Sequence, residues 1–453
     1  MTQEVGIIGL LLNLSASITY ITSQYLDEIQ NNIRVRPIPW DGYIRINLLT
    51  PEDAVLIKSI EKQVKDKKLV EGDVITFSAT LARLLSGALR EDVAKYLLGL
   101  ASELVIESPK FADSLLQLSL TDESFPYEPF VKFLDTNEHQ FLLAAKTLVV
   151  LFSLKKAPSK YVNTLFTFLS KKLAASPQQN FQDIAVQSYG VLLRTKWYRA
   201  LFWEGAKERV PVLLNVLKGS RNNLQLQYNT LLVLWLITFE TKPSADIITE
   251  FDIVPLYFDI IKNSVKEKII RLSIATLVNA VTLAPSKAIN SLLLNSGLTL
   301  SKTLSERKWA DDELVDDLEK LTTTLQEAFN SMTTFDEYKA ELDSKHLRWS
   351  PPHRLDTFWK DNAEKFKEQD WKVLKQLADI ISSNNNEGGI DPVVLAVALS
   401  DISHVITEFP EAVKVIERLG IKVNIMELMN HANAEVKYEA LKTTQNFIAH
   451  TFK

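Results

Sequence analysis

An all-α fold built from helical repeats is predicted by three observations. Glycine and proline are scarce, 13 and 16 in 453 residues, and the abundance of Leu, Ala, Lys and Glu favours helices over the turn-rich sequence of a β protein. From Glu91 onward strong helices open near Val93, His139, Phe181, Leu224 and Val265, with successive starts about 42 residues apart. Leu231 to Ile237, LLVLWLI, is apolar on every side and reads only as an inner helix covered by neighbours. One repeat cannot bury such a helix, whereas stacked repeats can. The fold class is therefore an armadillo/HEAT-like helical-repeat solenoid with a second, smaller helical-repeat domain, and its stacking creates a long groove suited to holding another protein.

The totals agree with this. A chain of this length with 46% apolar residues has room for a large core and for two folding units. The absence of cysteine excludes disulfides, thiolate zinc sites and a cysteine nucleophile, and fits a reducing compartment. A net charge of −5 gives no basic field, so neither nucleic acid nor direct membrane insertion is expected.

Taken in order, Val5 to Leu26 carries no charge, yet it lacks the basic start of a secretory signal and is too diluted by Asn13, Ser15, Ser17 and Thr19 for a membrane span. It reads as a segment docked on the core or lying in a groove. Tyr25 to Arg36 is a short amphipathic helix ended by Pro37-Ile38-Pro39-Trp40, and Lys58 to Lys68 reads as a solvated charged helix. Phe181 to Trp203 reads as one long helix, and each long helix is followed by shorter ones such as Pro211 to Leu217 and Ile253 to Lys262. Trp197, Trp203 and Trp235 are read as core packing rather than ligand anchors. In Ala310 to Phe329 the stripe Leu314, Leu318, Leu321, Leu325 and Phe329 faces inward. Its acidic start, Asp311, Asp312, Glu313, Asp316 and Asp317, opposes the helix dipole and needs no metal to explain it.

Phe335 to Trp359 organises the remainder. Phe335, Tyr338, Leu342, His346 and Trp349 fall on one helical stripe, Pro351 and Pro352 stop it, and Phe358 and Trp359 begin the next element. The chain thus divides into 1–330, a solenoid domain whose first 22 residues stand apart, and 331–453, a smaller helical domain. Further helices are expected over Trp359 to Lys367, Asp370 to Ser382, Pro392 to Glu408, Pro410 to Leu419, Val423 to Asn430 and Ala434 to Thr451. Between two of them, Ser382 to Asp391 is a polar, glycine-containing loop. Within it Ser383, Asn384, Asn385, Asn386, Glu387 and Gly388 read as an exposed arm offered to a partner.

Chemistry is not signalled. There is no GxxxxGK[ST] or GxGxxG phosphate loop, no HExxH and no GxSxG, and the six histidines show no ligand spacing. No catalytic residue, cofactor or metal is expected, and the function expected is binding.

Several blocks carry a resemblance: LQLQYNTLLVLWLITF, VKEKIIRLSIATLV, LSERKWADDELVDDLEKL, FDEYKAELDSKHLRWSPPH followed by FW, DISHVI, and NIMELMNHANAEVKYEALKTTQNFIAHTFK. In this order they resemble the H subunit of the vacuolar-type proton-translocating ATPase (V-ATPase). IQNNIRVRPIPWDGY resembles the family's early helix, while Met1 to Thr22 lies outside the resemblance. The resemblance implies a non-catalytic regulatory subunit of the catalytic sector, on the cytoplasmic face of the vacuolar membrane and in the cytosol when detached. Its implied partners are the E and G subunits of the peripheral stalk, the N-terminal part of the membrane-bound a subunit, and the rotor and catalytic subunits after detachment. It implies support of ATP-driven proton transport in the assembled complex and inhibition of hydrolysis in the detached sector. Ser383 to Gly388 are expected to face the rotor. Phe335, Tyr338, Trp349, Pro351, Phe358 and Trp359 are expected to form the link between domains or to face a partner. An armadillo-type cargo adaptor is the alternative, although the Asn229 and Trp235 relation such adaptors repeat occurs here once.

Overall fold

The computed structural model describes residues 21–36, 38–332, 335–383 and 390–451; Met1 to Tyr20 lie outside the described residues. Every regular element among the described residues is helical. The chain forms two compact units, divided between Leu283 and Ala284.

In the first unit, α1 (Gln24–Val35) starts where the Ser23 side chain accepts a hydrogen bond from the Leu26 N–H. α2 (Pro51–Lys65) starts on a reciprocal capping box between Thr50 and Asp53, which satisfies two backbone donors that the helix itself leaves unpaired. The solvated charged helix expected from Lys58 is only half of what forms there. Ala54, Ile57, Ile60 and Val64 of α2 make a buried face against α3 (Glu71–Ser86), and the lysines occupy the outer side.

The repeats follow. α4 (Glu91–Glu107), α5 (Glu138–Leu154), α6 (Gln179–Leu192), α8 (Leu224–Ile237) and α10 (Glu267–Leu283) start 41 to 47 residues apart, and each packs on the next. α5 is buried nearly all round, including Phe141, Leu148, Leu151 and Phe152, each worth roughly 1.5–3 kcal/mol against exposure. Within LLVLWLI every residue is buried except the half-exposed Leu232.

Phe181 to Trp203 is not one helix. The chain leaves α6 at Leu192, runs extended at Thr195 and restarts as α7 (Lys196–Glu204). The break is held by Arg199, whose Nη1 donates to the Leu193 and Arg194 carbonyls at 3.1 and 3.0 Å. α9 (Thr241–Thr249) lies between α8 and α10 in the chain and packs on α10.

The second unit opens with α11 (Pro285–Leu294), α12 (Gly297–Ser305) and α13 (Asp312–Met332). Leu314, Leu318, Leu321 and Leu325 of α13 are buried as the stripe requires, while Phe329 is only half-buried. α11 and α12 pack on α13, and α13 also touches the two helices that follow it. That packing groups α11 and α12 with α13 in the second compact unit.

Then come α14 (Phe335–Ser344), α15 (Pro351–Arg354), α16 (Asp356–Asp361), a 3₁₀ turn Ala363–Phe366, α17 (Glu368–Ser382), α18 (Pro392–Glu408), α19 (Ala412–Leu419), α20 (Lys422–Leu428) and α21 (Ala434–Thr451). α18 is the inner helix of this group, packed on α15, α16, α17, α19 and α21. Near the start of α17, Gln369, Asp370 and Trp371 have left-handed backbone angles, φ 53°, 55° and 61°. α19 begins at Ala412, two residues later than the sequence predicts.

Candidate functional site

The stretch around which the sequence turns becomes the packed corner of the second unit. Its first helix is shorter than its stripe: α14 ends at Ser344, and Lys345 takes φ 56°. Phe335, Tyr338 and Leu342 are buried as the spacing requires, but His346 is exposed and Leu347 occupies the inward place. Pro351 does more than stop a helix. It sits at the first position of α15, where a missing N–H costs nothing, and so opens a new turn.

Phe335, Tyr338, Phe358 and Trp359 come together with Phe366. The Tyr338 ring lies 5.4 Å from Phe358 and 5.7 Å from Trp359, the latter edge-on, and Trp359 stacks on Phe366 at 5.0 Å and on His404 at 5.2 Å. Edge-to-face and offset pairs at such distances add about 0.5–1.5 kcal/mol each beyond area burial. These four residues are buried within the core of the second unit. Trp349 and Pro351 stand at its margin, half-buried, with the Arg354 guanidinium 5.3 Å from the Trp349 ring.

Inside the aromatic corner lies a polar group. His353 Nδ1 is 2.8 Å from both Oδ1 and Oδ2 of Asp401, and the Tyr338 hydroxyl donates to Asp401 Oδ2 at 3.1 Å. His353 Nε2 reaches Glu341 Oε2 at 3.4 Å, while Ser350 Oγ donates to the same oxygen at 2.8 Å and the Arg348 N–H to Oε1 at 3.0 Å. Four pieces of backbone are tied through two carboxylates: α14, the 345–350 turn, α15 and α18.

Burial disfavours a charge on His353, but the field and hydrogen bond of Asp401, with Glu341 behind them, outweigh it and raise its pKa to about 9. His353 is therefore an imidazolium at neutral pH, donating from both ring nitrogens. Burial pushes the Glu341 carboxyl up, yet its hydrogen bonds from His353 and Ser350 hold it below the usual range. The Tyr338 hydroxyl is driven well above its ordinary value by burial and by Asp401, so it remains a donor. His404 is kept neutral by burial. This arrangement fixes a shape.

Motif and spacing arguments single out neither His353 nor Asp401. A signal exists all the same: Asp401 is the sole charged residue in α18 before Glu408, and a carboxylate there requires a buried cation. Of the loop expected to be an arm, Ser383 closes α17 by donating from Oγ to the Asp379 carbonyl, and Asp391 caps α18 by accepting from the Val393 N–H. Asn384, Asn385, Asn386, Glu387 and Gly388 lie outside the described residues.

The first unit carries two concave features. α6 and α8 line a cavity of about 390 Å³ with Asp183, Val186, Gln187, Gly190, Gln225, Asn229 and Leu232. There the Gln187 side chain holds the Thr22 backbone at both ends, accepting from its N–H at 2.8 Å and donating to its carbonyl at 2.9 Å. Asp183 anchors Gln187 and Asn229 at 2.7 and 3.2 Å.

A larger cavity of about 670 Å³ lies among α7, α9 and the turn that follows α7, with Trp203 edge-on to Phe251 at 6.0 Å. On one wall Glu240 receives both Arg199 (2.9 Å) and Lys196 (3.5 Å). Trp235 is core packing, as its place in LLVLWLI predicts. Trp197 and Trp203 are half-exposed, because the break before α7 turns them away from the inner row. Among the described residues no group of three or more His, Asp or Glu could hold a metal ion, and no helix is long and apolar enough to cross a membrane.

Repeated helices stacked in order, with a charge-tied corner in the second unit, define a helical-repeat protein of the armadillo type. Two family models, both described as the H subunit of the V-ATPase, match residues 24–325 and 331–452, so the chain belongs to the V-ATPase H-subunit family. It is 25% identical to the V-type proton ATPase H subunit of Drosophila melanogaster over 436 residues, 94% of this chain and 91% of that one. It is 27% identical to a probable V-type proton ATPase H subunit of Oryza sativa subsp. japonica over 439 residues, 90% and 94% of the two chains. Among solved structures, a designed armadillo repeat protein aligns with TM-score 0.43 and 13% identity over 54% of this chain and 98% of that one.

Proposed function

We propose that this chain is a non-catalytic regulatory subunit of the V-ATPase catalytic sector. It sits at the cytoplasmic face of the vacuolar membrane and in the cytosol when detached. In the assembled complex its first domain, 1–330, holds the peripheral stalk made by the E and G subunits. Its second, 331–453, meets the N-terminal part of the membrane-bound a subunit, and the bridge supports proton transport. When the sector detaches, the second domain turns to the rotor and catalytic subunits, with 383–388 foremost, and silences ATP hydrolysis. A body tied to stator and rotor together blocks rotation, and differential affinity for the two docking places sets which state is populated.

The observation that carries this reading is the pair of family models in tandem, parting between 325 and 331, each over its own share of the chain. A domain boundary at 330/331 places the buried corner of Tyr338, His353 and Asp401 in the regulatory half. There it gives the moving part a fixed shape while its outer surfaces exchange partners.

The test adds purified full-length chain to a detached catalytic sector lacking its own copy and follows ATP hydrolysis. The comparisons are a chain ending at Ser331 and a chain lacking 383–388. Suppression by the full chain, and binding without suppression by the other two, is expected. Failure of the full chain to bind refutes the assignment, and full suppression without 383–388 refutes the role of that loop.

A further inference from the structure

We propose that the cavity between α7 and α9 binds an extended segment of another protein that carries an arginine and, three residues away, a carboxylate. The two helices run in the same direction along its walls. Near their N-terminal ends Arg199 Nη2 donates to Glu240 at 2.9 Å, and near their C-terminal ends Trp203 stands edge-on to Phe251 at 6.0 Å. Bridged at both ends, they leave no room between them for a further helix, about 10–12 Å across with its side chains. The cavity of about 670 Å³ takes side chains from an extended chain instead.

The charges lining this cavity are unevenly divided. At the first end Arg199 and Glu240 neutralise each other, the Arg199 side chain being only 10% exposed. Lys196, 3.5 Å from the same Glu240 with its side chain 80% exposed, and the exposed Lys242 are left over as two cations. At the other end Glu204, Asp246 and Glu250 have no ion pair among the described residues, while Glu208 is taken by Lys171 at 3.0 Å. Against these three carboxylates stand the exposed Lys207 and the buried Arg209, whose guanidinium is spent on the Leu201 and Phe202 carbonyls and on Asn163. With both counted the second end is still negative, and the half-exposed Trp203 ring lies there.

A matching ligand carries opposite charges at the same separation. Between Lys196 and Trp203 α7 rises roughly 10 Å. A chain in the polyproline II form rises about 3.1 Å per residue with three residues per turn, so side chains i and i+3 point the same way about 9 Å apart. An Arg-x-x-Glu segment therefore meets both ends at once. Arginine suits the negative end better than lysine, because its planar guanidinium stacks on an indole while its edge donates to carboxylates.

The test uses the full chain and labelled peptides of about ten residues, identical except for a central Arg-x-x-Glu, Arg-x-x-Arg or Glu-x-x-Glu, with proline at both x positions to favour polyproline II. Fluorescence anisotropy measures binding, and amide hydrogen exchange locates it. The Arg-x-x-Glu peptide is expected to bind about tenfold tighter than either control and to slow exchange across 196–204 and 241–251. Trp203→Ala and Glu250→Lys should each weaken its binding by about tenfold. Lys242→Glu should turn the preference to an Arg-x-x-Lys peptide, a gain that a misfolded variant does not show. The proposal is overturned if no peptide binds, if a control binds as tightly or tighter, or if binding ignores these substitutions. No ATPase takes part, so the outcome is independent of whether the chain regulates ATP hydrolysis.

Discussion

Replacing His353 by Ala removes the buried cation on which Asp401 and Glu341 converge, and the loss has a size and a pH signature. The folded pKa of about 9, against 6.5 for an ordinary histidine, corresponds to about 3 kcal/mol at roughly 1.4 kcal/mol per unit. Leaving a buried charge without its partner costs about 3–5 kcal/mol in comparable cases, so the two routes agree. Because the folded pKa is raised, the stabilisation is complete below pH 6.5 and is lost as pH rises through about 9. His404 acts oppositely: its lowered pKa gives a contribution present above pH 6.5 and lost on acidification, outside this window. The assay is urea unfolding at intervals from pH 6.5 to 9.5, read by amide exchange of α18. Wild type should lose about 3 kcal/mol relative to His353→Ala across that range, the variant starting lower and changing less. Parallel pH profiles, or a loss under about 1 kcal/mol at pH 7, would refute the charged network as the support of the corner.

Other substitutions test other parts of the structure. Trp359→Ala should cost about 3–5 kcal/mol through the cavity left among Tyr338, Phe366 and His404, measured by the same unfolding assay. Gln369→Gly should stabilise by about 0.5–1 kcal/mol, because φ 53° is free for glycine and strained for glutamine; a lowered midpoint counts against the left-handed turn. Gln187→Ala should speed proteolysis and amide exchange around Thr22, whose N–H and carbonyl both rest on that side chain, with little change in melting temperature.

The repeat period and the apolar faces are legible because burial imposes them on sequence directly. Val93, His139, Phe181, Leu224 and Val265 mark five helix starts to within two residues, and LLVLWLI reads correctly as an inner helix. Breaks are harder to see. The helix end at Leu192 depends on Arg199 folding back onto two carbonyls, and the end of α14 depends on a left-handed Lys345; neither leaves a glycine or proline at the place. The polar corner escapes such reading because His353 and Asp401 are 48 residues apart and meet only after α15 and α18 pack. Motif spacing describes ligands along one element, whereas this pair is made by tertiary structure.

The serial packing of α4, α5, α6, α8 and α10 has a mechanical consequence. Helices joined face to face in a row behave as springs in series, so a twist applied at one end is shared among the four interfaces and each yields only a fraction of it. The compact corner of the second unit is wired differently. There Asp401 and Glu341 fasten four backbone segments at once, and nothing shears without breaking a buried charge pair. One unit is thus built to give under load, and the other to hold its form.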